Sequence, residues 1–327
     1  MVKVLALDPI HEDGLALLRA RPEVELVHLP TPTDAEILNH LKDAEAVILR
    51  ARRLEDEMYR QAPKLRLVSR HGVGCDNLKF DLLRELGIGV AIASDSNLVS
   101  VAEHAMTLTL AACKNLVRAE RAARSGNWAA RDNLGARDLD GSAVLVLGFG
   151  RIGQAYAKRA SAFGARITIY DPFLAGETEL PKDYVRATNL EDALAAMDVV
   201  SIHMPRTAET ANLFSSATLG NMKSGAILVN TARGGIVDEA ALLAALDAGR
   251  PGFYATDVLA DEPPSADDPL TGRDDVIVTP HSAAMTAQGA TRMATRSAQN
   301  VLDFLDGKLA REMIALAPSA SEKETQL

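Results

Sequence analysis

Three polar side chains interrupt apolar strand ends in the second half of the chain. Arg233 lies in Asn230-Thr-Ala-Arg-Gly-Gly-Ile-Val-Asp238, Glu262 in Asp257-Val-Leu-Ala-Asp-Glu262-Pro-Pro264, and His281 in Val278-Thr-Pro-His281-Ser-Ala-Ala284. A guanidinium just past a buried strand suits a planar carboxylate or a polarised carbonyl. An imidazole can give up a proton near neutral pH, and a carboxylate paired with it raises its pKa toward that range. Singly, each residue has an ordinary role: a surface ion pair, a solvated loop acid, a satisfied polar group. Together they suit hydride delivery to a 2-oxo acid. The Arg holds the carboxylate, the His protonates the carbonyl oxygen, and the Glu orients the His.

Hydride needs a carrier, and the sequence places one upstream. Val144-Leu-Val-Leu-Gly-Phe-Gly-Arg-Ile-Gly153 is a short apolar strand running into Gly148-x-Gly150-x-x-Gly153. A helical pattern follows (Ile152, Ala155, Tyr156, Arg159, Phe163), then a second strand ending at Tyr170-Asp171. This is the layout of a dinucleotide-binding βαβ unit. Gly148 allows the tight turn, Gly150 lets backbone amides reach a pyrophosphate, and Gly153 lets helix and strand pack closely. The helix N-terminus offers free N–H groups to phosphate. Asp171 stands where an acid accepts hydrogen bonds from a ribose and repels a 2′-phosphate, so the cofactor expected is NAD.

The elements needed to hold these groups are also legible. Apolar runs at 2–7, 24–29, 46–49, 65–69 and 88–93 alternate with helical patterns. One helix opens as a capping box at Thr33-Asp-Ala-Glu36, and another, from Phe80, ends at Gly87. A long alanine-rich helix is expected from Asn97 to about Ala123. Six strands then follow, near 142–147, 166–170, 199–203, 226–230, 253–256 and 276–279, with a further helix at 285–305. Strand–helix alternation of this kind gives parallel sheets with helices on both faces. The polar tail from Pro318 to Leu327 is expected to fray.

Composition narrows the function classes. At 327 residues the chain is long enough for two domains. A formal net charge of −9 argues against general nucleic-acid binding. No apolar run approaches the roughly 20 residues needed to span a bilayer. Met1–Asp8 reads as a first strand rather than a signal peptide. Cys75 and Cys113 are too few for a disulfide framework and lack metal-ligand spacing, so a reduced, cytoplasmic, metal-free protein is expected.

With these motifs in place, the chain resembles the D-isomer-specific 2-hydroxyacid dehydrogenases over nearly its whole length. The resemblance implies two doubly wound α/β domains. A Rossmann NAD-binding domain, residues 99–292, is inserted into a flavodoxin-like substrate domain made of 1–98 and 293–327, with the cleft between them. It implies His281 as proton donor, with Arg233 and Glu262 assisting. It implies cofactor contacts from Arg151, Ile152, Asp171, Met204, Thr231, Ala232 and Asp257 beside the three glycines, with Arg233 and His281 adjoining the cofactor. It places Val73 and Gly74, in Arg70-His-Gly-Val-Gly74-Cys-Asp-Asn77, where backbone amides bind the substrate carboxylate. Arg50 and Arg70 resemble positions that meet a substrate phosphate in phosphoglycerate dehydrogenases. Cys75 departs from the Tyr or Val many relatives carry there, and no C-terminal regulatory domain is expected. A homodimer joined through the nucleotide domains is implied. Two other readings stand beside this one. Formate or phosphite oxidation fits the fold, but formate dehydrogenases pair the His with Gln rather than a residue like Glu262. An NAD-sensing role resembling the C-terminal-binding corepressors shares a similar triad and is separated by turnover. His104, on the alanine-rich helix, has no role assigned.

Overall fold

The computed structural model describes residues 1–318; the expectation for the tail falls, from residue 319 on, outside the described residues. The elements run β1 (Val2–Leu7), α1 (Glu12–Arg19), β2 (Val24–Leu29), α2 (Asp34–Leu41), β3 (Ala46–Leu49), α3 (Asp56–Arg60), β4 (Leu67–Arg70), α4 (Phe80–Glu85) and β5 (Gly89–Ala91). Then come α5 (Leu98–Cys113), α6 (Leu116–Arg124), β6 (Ala143–Leu147), α7 (Arg151–Ala162), β7 (Arg166–Tyr170), β8 (Val185–Arg186), α8 (Leu190–Ala196), β9 (Val199–Ile202) and α9 (Ser216–Gly220). The chain continues through β10 (Ile227–Asn230), α10 (Glu239–Asp247), β11 (Phe253–Thr256), β12 (Val276–Val278), α11 (Ala287–Leu305) and β13 (Ile314–Leu316).

Two compact units result. One comprises Met1–Asn97 and the segment from Met285 onward; the other is Leu98–Ala284. The sequence places the second crossover at about 293, inside α11. In the structure α11 belongs whole to the first unit, where it lies on α1: a Cβ at Gly14 of α1 would sit 2.5 Å from Ala294 O.

The first unit's sheet has the order β2-β1-β3-β4-β5-β13, parallel except for β13, which pairs antiparallel with β5. Up to β5 this is the flavodoxin-like order. The strands β3 and β4 are buried at every residue, as a sheet covered on both faces requires. Its two faces carry separate apolar layers, one around Leu5, Ile37 and Val68, the other around Val4, Leu18 and Val301. The capping box forms as expected: Thr33 N donates to Glu36 Oε2 at 2.8 Å, and Glu36 N to Thr33 Oγ1 at 3.3 Å. Gly87 takes a φ of +71°, where the chain reverses after α4.

The second unit's sheet has the order β8-β7-β6-β9-β10-β11-β12, all parallel, with the strand order reversing beside β6 as in a dinucleotide-binding fold. It holds seven strands rather than six. β8 is two residues long with Val185 exposed, too short and too wet to show periodicity in the sequence. The alanine-rich helix also differs from expectation. It breaks at Asn115, which is left-handed at φ +48° and sends its Nδ2 to Leu134 O at 2.7 Å. α5 is packed into the core, whereas α6 has no buried residue.

Candidate active site

The dinucleotide turn is built by contact, residue by residue. Gly148 takes φ +89°, and a Cβ there would meet His203 O at 2.8 Å. A Cβ on Gly153 would lie 2.0 Å from Gly148 O, so α7 is pressed against the turn that precedes it. Gly150 differs: its φ of −71° is open to any residue, and nothing lies within 4 Å of its Cβ position. It caps α7 with no side-chain hydrogen bond to the helix amides. An open cradle at an uncapped helix N-terminus fits a pyrophosphate. Arg151 and Ile152 form the helix's first turn.

Asp171, just past β7, is held beside this turn. Its Oδ2 accepts from Phe149 N at 2.7 Å and its Oδ1 from Phe173 N at 2.9 Å. Met204 is buried after β9. Thr231 and Ala232 follow β10, and Thr231 Oγ1 is buried with no partner. A polar atom left so at a strand end awaits a hydrogen-bonding ligand. The residues expected to touch NAD thus share one edge of one sheet, the carboxyl ends of its strands.

The catalytic candidates lie on the same edge. His281 follows β12, with Nδ1 2.6 Å from Glu262 Oε2. The carboxylate can only accept, so Nδ1 donates to it and Nε2 is the ring nitrogen that Glu262 leaves unused. Glu262 is steadied in turn, its Oε1 accepting from Leu259 N at 2.9 Å. His281 has φ +50°, a left-handed conformation for a non-glycine residue. Arg233 leaves β10 through a turn pinned by Asn230, a residue of the motif that the sequence left without a role. Asn230 Oδ1 accepts from Ala232 N at 3.0 Å, and Asn230 Nδ2 donates to Arg233 O at 2.9 Å. An Asn two residues before a backbone donor is a recognisable Asx-turn signal. A Cβ at Gly234 would lie 1.8 Å from Leu259 O, so the Arg233 turn and the Glu262 loop are in direct contact. A cavity of about 500 Å³ is lined by Asp257, Glu262, Thr279 and His281.

Asp257 is more occupied than a simple cofactor ligand. Its buried carboxylate accepts from Thr279 Oγ1 at 2.6 Å, Ser282 N at 2.9 Å and Ala283 N at 2.8 Å, which ties down the loop around His281.

In the first unit, the Gly-rich loop follows β4. Arg70 is buried, and its guanidinium donates to the carbonyls of Gly74, Leu49 and Arg50. It shapes the turn that presents Val73 and Gly74. Arg50 is half-buried and rests on Pro9 O at 3.2 Å and Met285 Sδ at 3.2 Å. Next to Arg70, His71 is buried with both ring nitrogens unpartnered. Burial, and then the Arg50 charge, push it from 6.5 down to about 4. In the second unit His203, whose ring centre lies 4.9 Å from that of Tyr156 at an interplanar angle of 43°, is pushed down to about 3 by burial.

Both imidazoles therefore fold neutral. The unfolded chain binds protons near 6.5, so the unfolded state gains as pH falls below that value, and stability is lost down to about pH 4 for His71 and about pH 3 for His203. At pH 5 each ring costs roughly 2 kcal/mol. A lower urea midpoint at pH 5 than at pH 7 is expected, with His71→Gln flattening the dependence. A His71→Gln protein as acid-sensitive as the parent would show that the ring is protonated in the fold.

Comparison with known proteins agrees with this geometry. Residues 106–283 match the family model for the D-isomer specific 2-hydroxyacid dehydrogenase NAD binding domain. A D-3-phosphoglycerate dehydrogenase of Methanocaldococcus jannaschii is 36% identical over 324 residues, covering 99% of this chain and 61% of the relative. The chain spans about three fifths of the length of the curated relatives it matches. Among solved structures, the TT0316 protein from Thermus thermophilus superposes with a TM-score of 0.85 at 33% identity, covering 96% of this chain and 100% of that one. An NAD-dependent formate dehydrogenase from Staphylococcus aureus, in complex with NAD, also gives 0.85, at 29% identity and with 97% and 100% covered. No helix among the described residues is long and apolar enough to cross a membrane. With its NAD-binding domain matched by the family model and its inserted-sheet fold shared with these structures, the chain belongs to the D-isomer specific 2-hydroxyacid dehydrogenases.

Proposed function

We propose that this protein is an NAD-dependent oxidoreductase that interconverts a D-2-hydroxy acid and its 2-oxo acid. The observation that carries the reading is the 2.6 Å His281–Glu262 pair on the same sheet edge as the open Gly150 cradle. When bound, the nicotinamide accepts or supplies the hydride. The chain's own groups do the rest. Gly148, Gly150, Gly153, Arg151, Ile152, Asp171, Met204, Thr231 and Ala232 hold the cofactor, and Asp257 supports the loop beside it. His281 Nε2 gives its proton to the carbonyl oxygen in reduction and takes it from the hydroxyl in oxidation. Glu262 holds the ring by Nδ1 and so orients Nε2 for that exchange. Arg233 grips the carboxylate next to the reacting carbon.

We assign residues 98–284 to the cofactor and the remainder to substrate recognition, through the Val73–Gly74 amides and Arg50, with Arg70 shaping that turn. An arginine at Arg50 suits a second anionic group, so a phosphorylated substrate such as 3-phosphoglycerate is favoured; glyoxylate and hydroxypyruvate are the smaller alternatives. The similarity to D-3-phosphoglycerate dehydrogenases supports this choice. The test is NADH oxidation with pyruvate, glyoxylate, hydroxypyruvate, 2-oxoglutarate, phenylpyruvate and phosphohydroxypyruvate, beside NAD reduction with formate. Turnover of about 1–1000 per second on an oxo acid, highest in kcat/KM for phosphohydroxypyruvate, is expected. Activity on formate alone would replace the reading, and NADH binding without turnover on any of them would favour a sensor.

The proposed assembly is a homodimer in a cytoplasmic setting. α6 is amphipathic but unburied, with Leu116 55%, Val117 42% and, just beyond it, Trp128 70% exposed. Exposed apolar groups clustered this way mark an interface. Leu116→Asp combined with Trp128→Glu is expected to turn a dimer into a monomer in sedimentation velocity; an unchanged dimer would place the interface elsewhere.

A further inference from the structure

His104 projects from α5 toward the loop that carries His281. Its Nε2 lies 2.9 Å from Thr279 Oγ1 and 3.5 Å from Asp257 Oδ1. Thr279 has one hydroxyl proton and a 2.6 Å contact to the same carboxylate oxygen. A carboxylate only accepts, so that proton goes to Asp257. Toward His104 the Thr279 oxygen can then only accept, and Nε2 must carry a hydrogen. Counting protons therefore gives a one-way chain: His104 Nε2–H to Thr279 Oγ1–H to Asp257.

Asp257 has almost no solvent contact, with 1% of its side chain exposed. It grips the loop on both sides of His281: through Thr279 before it, and through the amides of Ser282 and Ala283 after it. The backbone adds His281 N donating to Asp257 O at 2.9 Å. His281 needs such a clamp, because its φ of +50° is a sparsely populated conformation that persists only when its surroundings impose it.

We propose that His104 is a positioning residue for proton transfer, acting through Thr279 and Asp257 to hold His281 in its left-handed, donor-ready conformation. The proposal rests on the reading of His281 as proton donor. A histidine that only filled space on α5 would need no hydrogen on Nε2 and would be replaceable by an aromatic ring.

The test is a set of variants assayed with phosphohydroxypyruvate and hydroxypyruvate: His104→Phe, His104→Gln, Thr279→Val, and His104→Phe with Thr279→Val. His104→Phe is expected to lower kcat about tenfold, the scale of one lost positioning hydrogen bond, with KM for NADH within about twofold. Gln, whose Nε2 can reach the imidazole's donor position, should restore kcat to within about threefold of the parent. The double variant should be no slower than Thr279→Val alone. Full kcat in His104→Phe would overturn the proposal. So would a loss confined to KM for NADH, or a Gln variant no better than Phe when both melt like the parent. His281→Ala run alongside separates the two readings. If it keeps turnover, the proton-donor assignment fails; if it is dead while His104→Phe is fully active, only the relay fails. A measurement independent of turnover covers poor folding of the Phe variant: long-range proton–nitrogen spectra of the parent protein should show the His104 hydrogen on Nε2, and finding it on Nδ1 alone would overturn the chain.

Discussion

Replacing His281 with alanine is expected to lower kcat for 2-oxo acid reduction by about 10²–10⁴-fold, the usual contribution of a positioned general acid. The dissociation constant for NADH should change far less. The sheet edge offers few groups for this proton. Glu262 is committed to accepting from Leu259 N and from His281 Nδ1, and Asp257 to the loop. Arg233 spends an N–H on Ala232 O at 2.7 Å. On the proposed function, His281 Nε2 is therefore the group that exchanges a proton with the substrate oxygen. His281→Gln should be nearly as slow, because an amide can hydrogen-bond to the oxygen without protonating it. Single-turnover kinetics with NADH pre-bound would check both. Retention of more than about a tenth of the parent rate would remove His281 from the proton-transfer step.

The second large effect is expected from Gly150→Ala. Its backbone conformation accepts alanine, and the added methyl would meet no atom of the chain within 4 Å. The variant should fold normally, with Tm within about 2 °C of the parent. Its NADH affinity should nevertheless fall about 10–100-fold, because the methyl fills the space through which the helix amides reach phosphate, at a cost of one or two charge-assisted hydrogen bonds. Gly153→Ala makes the contrast. Its methyl would lie 2.0 Å from Gly148 O, so α7 must back away, and both Tm and affinity should drop. Fluorescence titration of NADH with thermal melts tests the pair; a Gly150→Ala protein that binds like the parent would place the cofactor elsewhere.

The glycines were legible because their reasons are local. A positive φ at Gly148 and a close helix approach at Gly153 follow from a strand turning directly into a helix. The capping box at Thr33 and the stop at Gly87 were legible on the same grounds. Arg233, Glu262 and His281 stood out because a polar residue ending a buried strand contradicts its surroundings. Asn115 gave no such warning: an alanine-rich stretch favours helix throughout, and the left-handed break is stabilised by a carbonyl at Leu134, distant in sequence. β8 is not legible because a two-residue strand carries no period, and β13 because its antiparallel pairing with β5 falls outside the strand–helix alternation.

By itself, the sequence determined the βαβ alternation, the dinucleotide turn, the acid that closes it and the residue types available for proton and hydride chemistry, since all of these rest on spacing and backbone conformation. The tertiary structure alone decided how the polar groups are spent. Arg70, which reads as an anion ligand, is committed to three carbonyls. Asp257 holds the His281 loop, and His104, unassigned from sequence, donates into it. A hydrogen-bonding group's role depends on which partners reach it first, and those partners come from segments far apart in the chain.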